Sequence, residues 1–211
     1  MNSLKLLLGV CALFLTACEA EAISENTPPE NTPPEENLSS TDRLPTIVLD
    51  AGEGKEIAFP LHPTVRLADE NSNHAGMSFF EMIIPAGSPG APPHSHTHED
   101  EFFYVREGSV TFMADGARKT ISAGGFVLLP RDSWHAMWNT GDADAILLVG
   151  TSAGEFDDFF DAVAMEVRDS GANSPEEIGA IVGRLGAERG ITIDMSRVPE
   201  DVAALYGLPA N

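Results

Sequence analysis

The sequence is poor in cysteine and in basic residues, and both shortages exclude chemistry. It holds two cysteines, Cys11 and Cys18, and none after residue 18. The rest of the chain therefore has no thiol for a disulfide, a nucleophile or a metal ligand. Twelve Lys and Arg stand against 33 Asp and Glu, which gives a formal net charge of −21. Because nucleic acids and anionic lipid surfaces need a basic face, we predict that neither is a partner.

Residues 1–17 have the pattern of a signal peptide. Lys5 supplies a positive charge, Leu6 to Leu15 form an apolar stretch too short to span a bilayer as a helix, and small residues follow. The segment ends Leu15-Thr16-Ala17-Cys18, which resembles the lipobox of bacterial lipoproteins. The resemblance implies lipidation of Cys18 and a membrane contact through that anchor alone. The alternative is an ordinary secretory signal in which Cys18 is incidental.

Residues 18–45 are predicted to form a disordered acidic tether. They are rich in Glu, Asn, Thr, Pro and Ser, and the pentapeptide NTPPE occurs at Asn26–Glu30 and again at Asn31–Glu35. Such a segment has too little apolar surface to fold, and its proline pairs keep it extended. The predicted location is the cell envelope, on a periplasmic or extracellular face. Glu19 favours the outer membrane by resemblance to Gram-negative lipoproteins.

Residues 46–152 consist of short apolar segments separated by glycine and proline. About ten such segments follow one another without a long helical pattern between them, and strong examples are Met77–Ile84, Ser109–Ala114 and Ala145–Gly150. A weaker alternation at Thr46–Asp50 predicts the first strand. Many short strands with turn residues between them predict an all-β sandwich or barrel.

Residues 153–211 change to helical periodicity and are predicted to be a helical extension packed on the barrel. The apolar stripe of the first helix is Phe156, Phe159, Phe160, Val163 and Val167. Asn173 or Ser174 would cap a second helix that has Pro175 at its first position and ends near Gly190. A short third helix is expected from Pro199 to Tyr206. We expect the stripe of the first helix to dock on the strands.

Four of the six histidines lie in two short segments. His94, His96 and His98 alternate, and alternate side chains of an extended strand share one face. Glu101 follows, and His135 lies in the second segment. Three neutral imidazoles and a carboxylate suit Fe(II), Mn(II), Ni(II), Cu(II) or Zn(II) and leave coordination positions open for water, substrate or dioxygen. The donor types do not choose among these metals.

The two segments read His94-x-His96-x₄-Glu101-x₆-Gly108 and Gly124-x₅-Pro130-x-Asp132-x₂-His135-x₃-Asn139. They resemble the two signature motifs of the cupin superfamily, whose fold is a double-sheet jelly-roll barrel (a double-stranded β-helix). The resemblance covers Met77 to Gly150. The tail with Glu155, Phe156, Phe159 and Phe160 is similar to that of single-domain quercetin dioxygenase-like cupins. The resemblance implies that His94, His96, Glu101 and His135 bind one divalent transition metal.

Ser88 and Asp132 stand where the family has motif glycines. A register shifted by two would instead use His96 and His98, but it leaves two residues rather than four before Glu101. Without a metal, the histidines would form a polar strand edge. The remaining candidates are predicted to lie outside the site: His98, Glu99 and Asp100 at its rim, His62 and His74 on the surface, and Tyr104 and Trp138 facing away.

The resemblance implies an extracytoplasmic, lipid-anchored dioxygenase acting on a small flavonol-, catechol- or diketone-like substrate, with Glu101 as ligand or proton acceptor. Two alternatives stay open: a metal-dependent isomerase or lyase, and a non-catalytic protein that binds metal or a small molecule. The sequence does not decide whether the protein is an enzyme. A homodimer is implied because cupin barrels often pair through their sheets.

Overall fold

The structure is a computed structural model that describes residues 43–152 and 156–209. The predicted signal peptide, Cys18 and most of the predicted tether lie outside the described residues. Within the described ranges, every helix is too short or too polar to cross a membrane.

The described chain is built from twelve strands followed or interrupted by short helices. The strands are β1 Lys55–Ile57, β2 Thr64–Ala68, β3 Ser78–Ile84, β4 Ser88–Pro89, β5 His94–His96, β6 Glu101–Glu107, β7 Ser109–Ala114, β8 Ala117–Ser122, β9 Phe126–Leu129, β10 His135–Asn139, β11 Ala145–Thr151 and β12 Ile191–Ile193. The helices are α1 Phe156–Ser170 and α2 Pro175–Glu188, and 3-10 turns lie at Glu70–Ser72, Met195–Arg197 and Glu200–Tyr206.

The strands form two antiparallel sheets. The first has the order β1-β2-β3-β11-β6-β9, and the second has the order β12-β5-β10-β7-β8, with β4 also paired to β10. The chain passes from the second sheet to the first between β5 and β6. This crossing follows directly after His96, so consecutive strands of the motif contribute side chains from both sheets.

Period-two burial sets the inner faces of the sheets. Along β3 the residues Ser78, Phe80, Met82 and Ile84 are buried and the residues between them are partly exposed. Because apolar area removed from water stabilises a fold by roughly 25 cal/mol per Å², this face anchors β3 in the core.

The C-terminal helices pack on the strands. Rings of α1 contact the core at Phe80, which lies 5.1 Å from Phe160 and 6.1 Å from Phe156 between centroids. Two of the rings in the apolar stripe of α1 therefore pack against β3 of the first sheet. Ser174 caps α2 and forms a capping box with Glu177. Both the cap and the proline at the first position were expected.

A buried ion pair joins α1 to β2. The Nε atom of Arg66 lies 2.7 Å from Oδ1 of Asp157, and the two side chains are 7% and 9% exposed. The Nη1 atom of Arg66 also lies 2.8 Å from Oδ2 of Asp161. Burial raises the pKa of Asp157 despite the attraction of Arg66, whereas Arg66 and Lys55 lower the pKa of Asp161 against the opposing effect of burial.

Two expectations about strands differ from the structure. Thr46–Asp50 is not a strand, and its apolar residues are exposed, because the alternation there finds no neighbouring strand to pair with. Conversely, β12 was not predicted. It has three residues and pairs with β5 at the end of the second sheet. A segment this short carries too little periodicity to stand out from the sequence.

Candidate metal centre

Four side chains converge between the sheets. One ligand atom from each of His94, His96, Glu101 and His135 lies within 4.8 Å of the others, and all four residues are buried. His94 and His135 are direct partners across the antiparallel pair β5–β10, so their rings lie 4.1 Å apart between centroids. Glu101 enters from the first sheet. Its Oε2 atom is 3.1 Å from Nε2 of His135 and 3.6 Å from Nε2 of His96.

Hydrogen bonds from Nδ1 of His94 and His135 leave the Nε2 atoms of these rings to meet the other candidate ligands. Nδ1 of His94 lies 2.7 Å from the carbonyl oxygen of Pro92, and Nδ1 of His135 lies 3.0 Å from that of Ser133. Since a carbonyl oxygen only accepts, each Nδ1 carries a hydrogen, and in the neutral ring that a metal needs each Nε2 keeps its lone pair. Nε2 of His135 and the Glu101 carboxylate are then two acceptors in contact. A cation between them removes this conflict, and the four residues therefore fit a divalent metal.

Glu99 supports the third imidazole. Its Oε2 atom lies 3.2 Å from Nδ1 of His96, and both side chains are 1% exposed. Nε2 of His96 is buried and has no hydrogen-bond partner within residues 43–152 and 156–209. The same arrangement, a carboxylate behind a histidine, fixes the tautomer and orientation of metal-bound histidines in other proteins.

The prediction that Glu99 lies at the rim is therefore wrong. The strand β5 ends at His96, and the turn after it directs Glu99 into the interior. Asp100 is partly exposed and forms an ion pair with Arg131 at 3.1 Å, and His98 is exposed. Both residues therefore lie where the sequence predicted them, at the rim of the site. With His98 in solvent, the register shifted by two is not the one that the structure adopts.

Among the candidate ligands, the protein environment shifts the pKa values of His94 and His96 in opposite directions. Burial, together with the neighbouring His135 and His96, lowers the pKa of His94 well below its usual value. Burial also opposes the charged form of His96, but the hydrogen bond to Glu99 and the charges of Glu101 and Glu99 outweigh it and raise the pKa. A metal at this site would compete with a proton at His96, so acid weakens binding.

His62 was predicted to lie on the surface, and this is wrong. The side chain is 5% exposed and packs edge-on against Phe59, with ring centroids 5.2 Å apart. Its Nε2 atom lies 2.9 Å from Sδ of Met82. Burial lowers the pKa of His62 to about 4. His74 is exposed, as expected.

A cavity of about 70 Å³ adjoins the candidate ligands. His94, His96 and Glu101 lie along one side of it, and the remaining walls are almost entirely apolar. Helix α1 supplies part of these walls, and the ring of Phe156 lies 5.2 Å from that of His96. Tyr104 and Trp138 do not line the cavity; Tyr104 is 42% exposed, and Trp138 is buried in a separate cluster with Val202.

Two turn positions in the motifs have a left-handed backbone. Gly108 is a motif glycine that is present, and Asp132 stands where the family has a glycine. Gly108 has φ +71°, and a Cβ atom there would lie 2.6 Å from the carbonyl oxygen of Asp144. Only glycine fits both conditions. Asp132 has φ +65°, which is also left-handed. Aspartate tolerates this region better than most residues, so the turn forms without glycine and His135 keeps its place.

Comparison with known proteins agrees with this geometry. Residues 80–150 match the family model described as a cupin domain, and the four candidate ligands all lie in the matched segment. The match, with two antiparallel sheets and C-terminal helices, supports a cupin fold. Comparison with curated proteins gives no match.

Several solved cupin structures are similar at low identity. The cupin domain of Cnp3 from Schizosaccharomyces pombe is 14% identical, with 46% of this chain and 64% of that chain covered and a TM-score of 0.40. A predicted oxalate decarboxylase from Thermotoga maritima is 26% identical, with 44% and 80% covered and a TM-score of 0.41. A sugar phosphate isomerase from Silicibacter pomeroyi is 24% identical, with 51% and 75% covered and a TM-score of 0.43. These TM-scores are too low to support a conclusion about activity.

Proposed function

We propose that the protein is a metal-dependent oxidoreductase of the dioxygenase type that acts on a small organic substrate. The observation that carries the proposal is the convergence of three buried imidazoles and one buried carboxylate beside a largely apolar cavity. His94, His96, Glu101 and His135 would hold the metal. When bound, the metal would polarise an enolate or phenolate oxygen of the substrate and supply redox chemistry with dioxygen.

Glu101 is the proposed catalytic residue. It is 4% exposed, it lines the cavity, and its Oε2 atom contacts the imidazoles of His96 and His135. A carboxylate in this position is able to serve as a ligand or to accept a proton from an enol or phenol. The largely apolar walls would disfavour water beside Glu101, which would strengthen its electrostatic contacts with a bound substrate.

The size of the cavity narrows the substrate class. Pockets for drug-sized ligands measure roughly 300–1,000 Å³, whereas this cavity measures about 70 Å³. A three-ring flavonol does not fit without displacement of α1. The cavity therefore favours diketone-sized or catechol-sized molecules among the substrates that the sequence suggested.

The second candidate function is non-catalytic binding of a metal or small molecule. The same small cavity favours it, since walls built by Phe156, Phe159 and Phe160 leave little room for turnover of a larger substrate. The two functions differ in whether bound dioxygen is consumed.

The test uses the full-length protein loaded separately with Fe(II), Mn(II), Ni(II), Cu(II) and Zn(II). We expect about one metal per chain, and consumption of dioxygen with pentane-2,4-dione or catechol by at least one of the redox-active forms; the Zn(II) form, which has no redox chemistry, is the control and should bind without consuming dioxygen. His135→Ala should lose both, and His98→Ala, which changes an exposed histidine of the same motif, should keep both. Metal binding without oxygen consumption would favour the binding protein. Turnover under anaerobic conditions would favour an isomerase or lyase, and equal metal content in wild type and His135→Ala would overturn the site.

The cellular location and the oligomeric state are further parts of the proposal. The lipobox-like sequence before Cys18 supports a lipid anchor at the cell envelope. Tyr104, Phe126 and Leu128 are 42%, 59% and 57% exposed on adjacent strands, which supports pairing of two chains through the outer face of the first sheet. Fatty-acid labelling that is lost in Cys18→Ala would test the anchor. Light scattering of Phe126→Lys beside the wild type would test the dimer.

A further inference from the structure

His62 has an unusual place in the cavity wall. It lies in the segment between β1 and β2, far along the chain from the metal motifs. Among the described residues that line the cavity, it is the one polar side chain outside the proposed ligand set. The metal-binding face and His62 therefore provide the polar groups of an otherwise apolar space.

The contact with Met82 fixes the tautomer of His62. A thioether sulfur has no hydrogen and accepts weakly. The 2.9 Å approach of Nε2 to Sδ of Met82 is thus favourable when Nε2 carries the hydrogen. In the opposite tautomer two lone pairs would face each other. The remaining ring nitrogen, Nδ1, is then an acceptor.

That acceptor has no partner among the described residues. Nδ1 of His62 is buried without a hydrogen bond. An unsatisfied buried polar atom costs about 1–3 kcal/mol. Protonation does not relieve this cost near neutral pH, because burial lowers the pKa of His62 to about 4. Because His62 lines the cavity, a hydrogen-bond donor held there is the partner that would satisfy Nδ1.

We propose that His62 is a specificity-determining residue whose Nδ1 accepts a hydrogen bond from a hydroxyl group of the ligand in the cavity. The ligand class is a small hydroxylated organic molecule, with an oxygen for the metal at one end and a hydroxyl group at the other. This inference rests on the proposed metal site. It adds a second point of recognition that a purely apolar wall lacks.

The binding test compares two probes that differ only at the distal group. 3-Hydroxypropanoate and butanoate have the same number of heavy atoms and the same carboxylate, and a methyl group replaces the hydroxyl. Each probe is titrated into the Co(II)-loaded full-length protein, and the dissociation constant is read from the visible spectrum. For each protein we divide the dissociation constant of butanoate by that of 3-hydroxypropanoate. We expect this ratio to be about fivefold higher in the wild type than in His62→Phe, because one hydrogen bond changes a dissociation constant by about that factor. His74→Phe, at an exposed histidine, should keep the wild-type ratio.

A second measurement needs no variant: the tautomer is read in the metal-free and the Zn(II)-loaded protein, and the probes are added to the Zn(II)-loaded protein. Nitrogen-15 NMR of the wild type, both Zn(II)-loaded and metal-free, reports the tautomer of His62 and the hydrogen bonding of Nδ1. We expect hydrogen on Nε2, and a shift of the Nδ1 signal with 3-hydroxypropanoate that butanoate does not cause. Hydrogen on Nδ1, an equal response to both probes, or an Nδ1 already bonded to a buried water and unchanged by either probe would each overturn the proposal.

The two proposals fail in different ways. A protein that binds the hydroxylated probe through His62 but consumes no dioxygen would refute the dioxygenase and keep the role of His62. If the protein consumes dioxygen but His62→Phe has the same preference for the hydroxylated probe as the wild type, the dioxygenase is supported and the role of His62 is refuted.

Discussion

Acid should destabilise the metal-free protein through His62. Burial lowers the pKa of this residue in the folded chain from 6.5 to about 4, while the unfolded chain takes up the proton near 6.5. Between these two values the unfolded state binds more protons, so stability falls as the pH falls from 6.5 towards 4. From these two pKa values, the free energy of unfolding should fall by about 2 kcal/mol between pH 7 and pH 5. The total loss relative to pH 7 should reach about 3 kcal/mol once the pH lies below 4.

Denaturation of the chelator-treated protein at pH 7 and pH 5 measures this loss. His62→Phe removes the titrating group and keeps an aromatic ring beside Phe59, so it should lose about 2 kcal/mol less than the wild type over the same interval. His94 titrates in both proteins, and its contribution cancels in the comparison. His74→Phe should behave as the wild type, because His74 is exposed. Equal losses in wild type and His62→Phe would refute the argument that burial holds His62 neutral.

Two further predictions concern buried carboxylates: Glu99, which contacts His96, and Asp157, which pairs with Arg66. Glu99→Gln should weaken metal binding by about 10- to 100-fold in competition with a chromophoric chelator, since His96 loses its carboxylate partner; Asp100→Asn, at a partly exposed neighbour, is the control, and a similar affinity in both variants would contradict the role of Glu99. Arg66→Met leaves the buried carboxylate of Asp157 without a cation and should cost about 3–5 kcal/mol of unfolding free energy. Lys55→Met breaks an ion pair whose lysine side chain is 64% exposed and should cost less than about 1 kcal/mol. Comparable losses in the two variants would show that the Arg66 pair is not buried in solution.

Features set by neighbouring residues could be predicted from the sequence. Alternation along a strand placed His94 and His96 on one face, and the same period placed Phe80 and Met82 in the core. Ser174 and Pro175 marked the start of α2, because capping depends on side chains within one turn of the helix. The meeting of His135 with the other ligands was expected from the motif resemblance, not from local physics.

Features that depend on distant packing were missed. His62 lies in a loop with the composition of a surface segment, and it is buried because Phe59 covers it and Phe160, from a helix about one hundred residues later, covers Phe59. Glu99 follows an exposed histidine and precedes a partly exposed aspartate, and only the turn after β5 brings it to His96.

The sequence by itself predicted most strands between residues 55 and 151, the start of α2 and the set of four candidate ligands, since each depends on residues a few positions apart or on a motif. The tertiary structure alone decided the size of the cavity, the burial of His62 and the support of His96 by Glu99. The physical reason is that burial and desolvation depend on what other segments of the chain pack against a residue, and no local pattern records which segments those are.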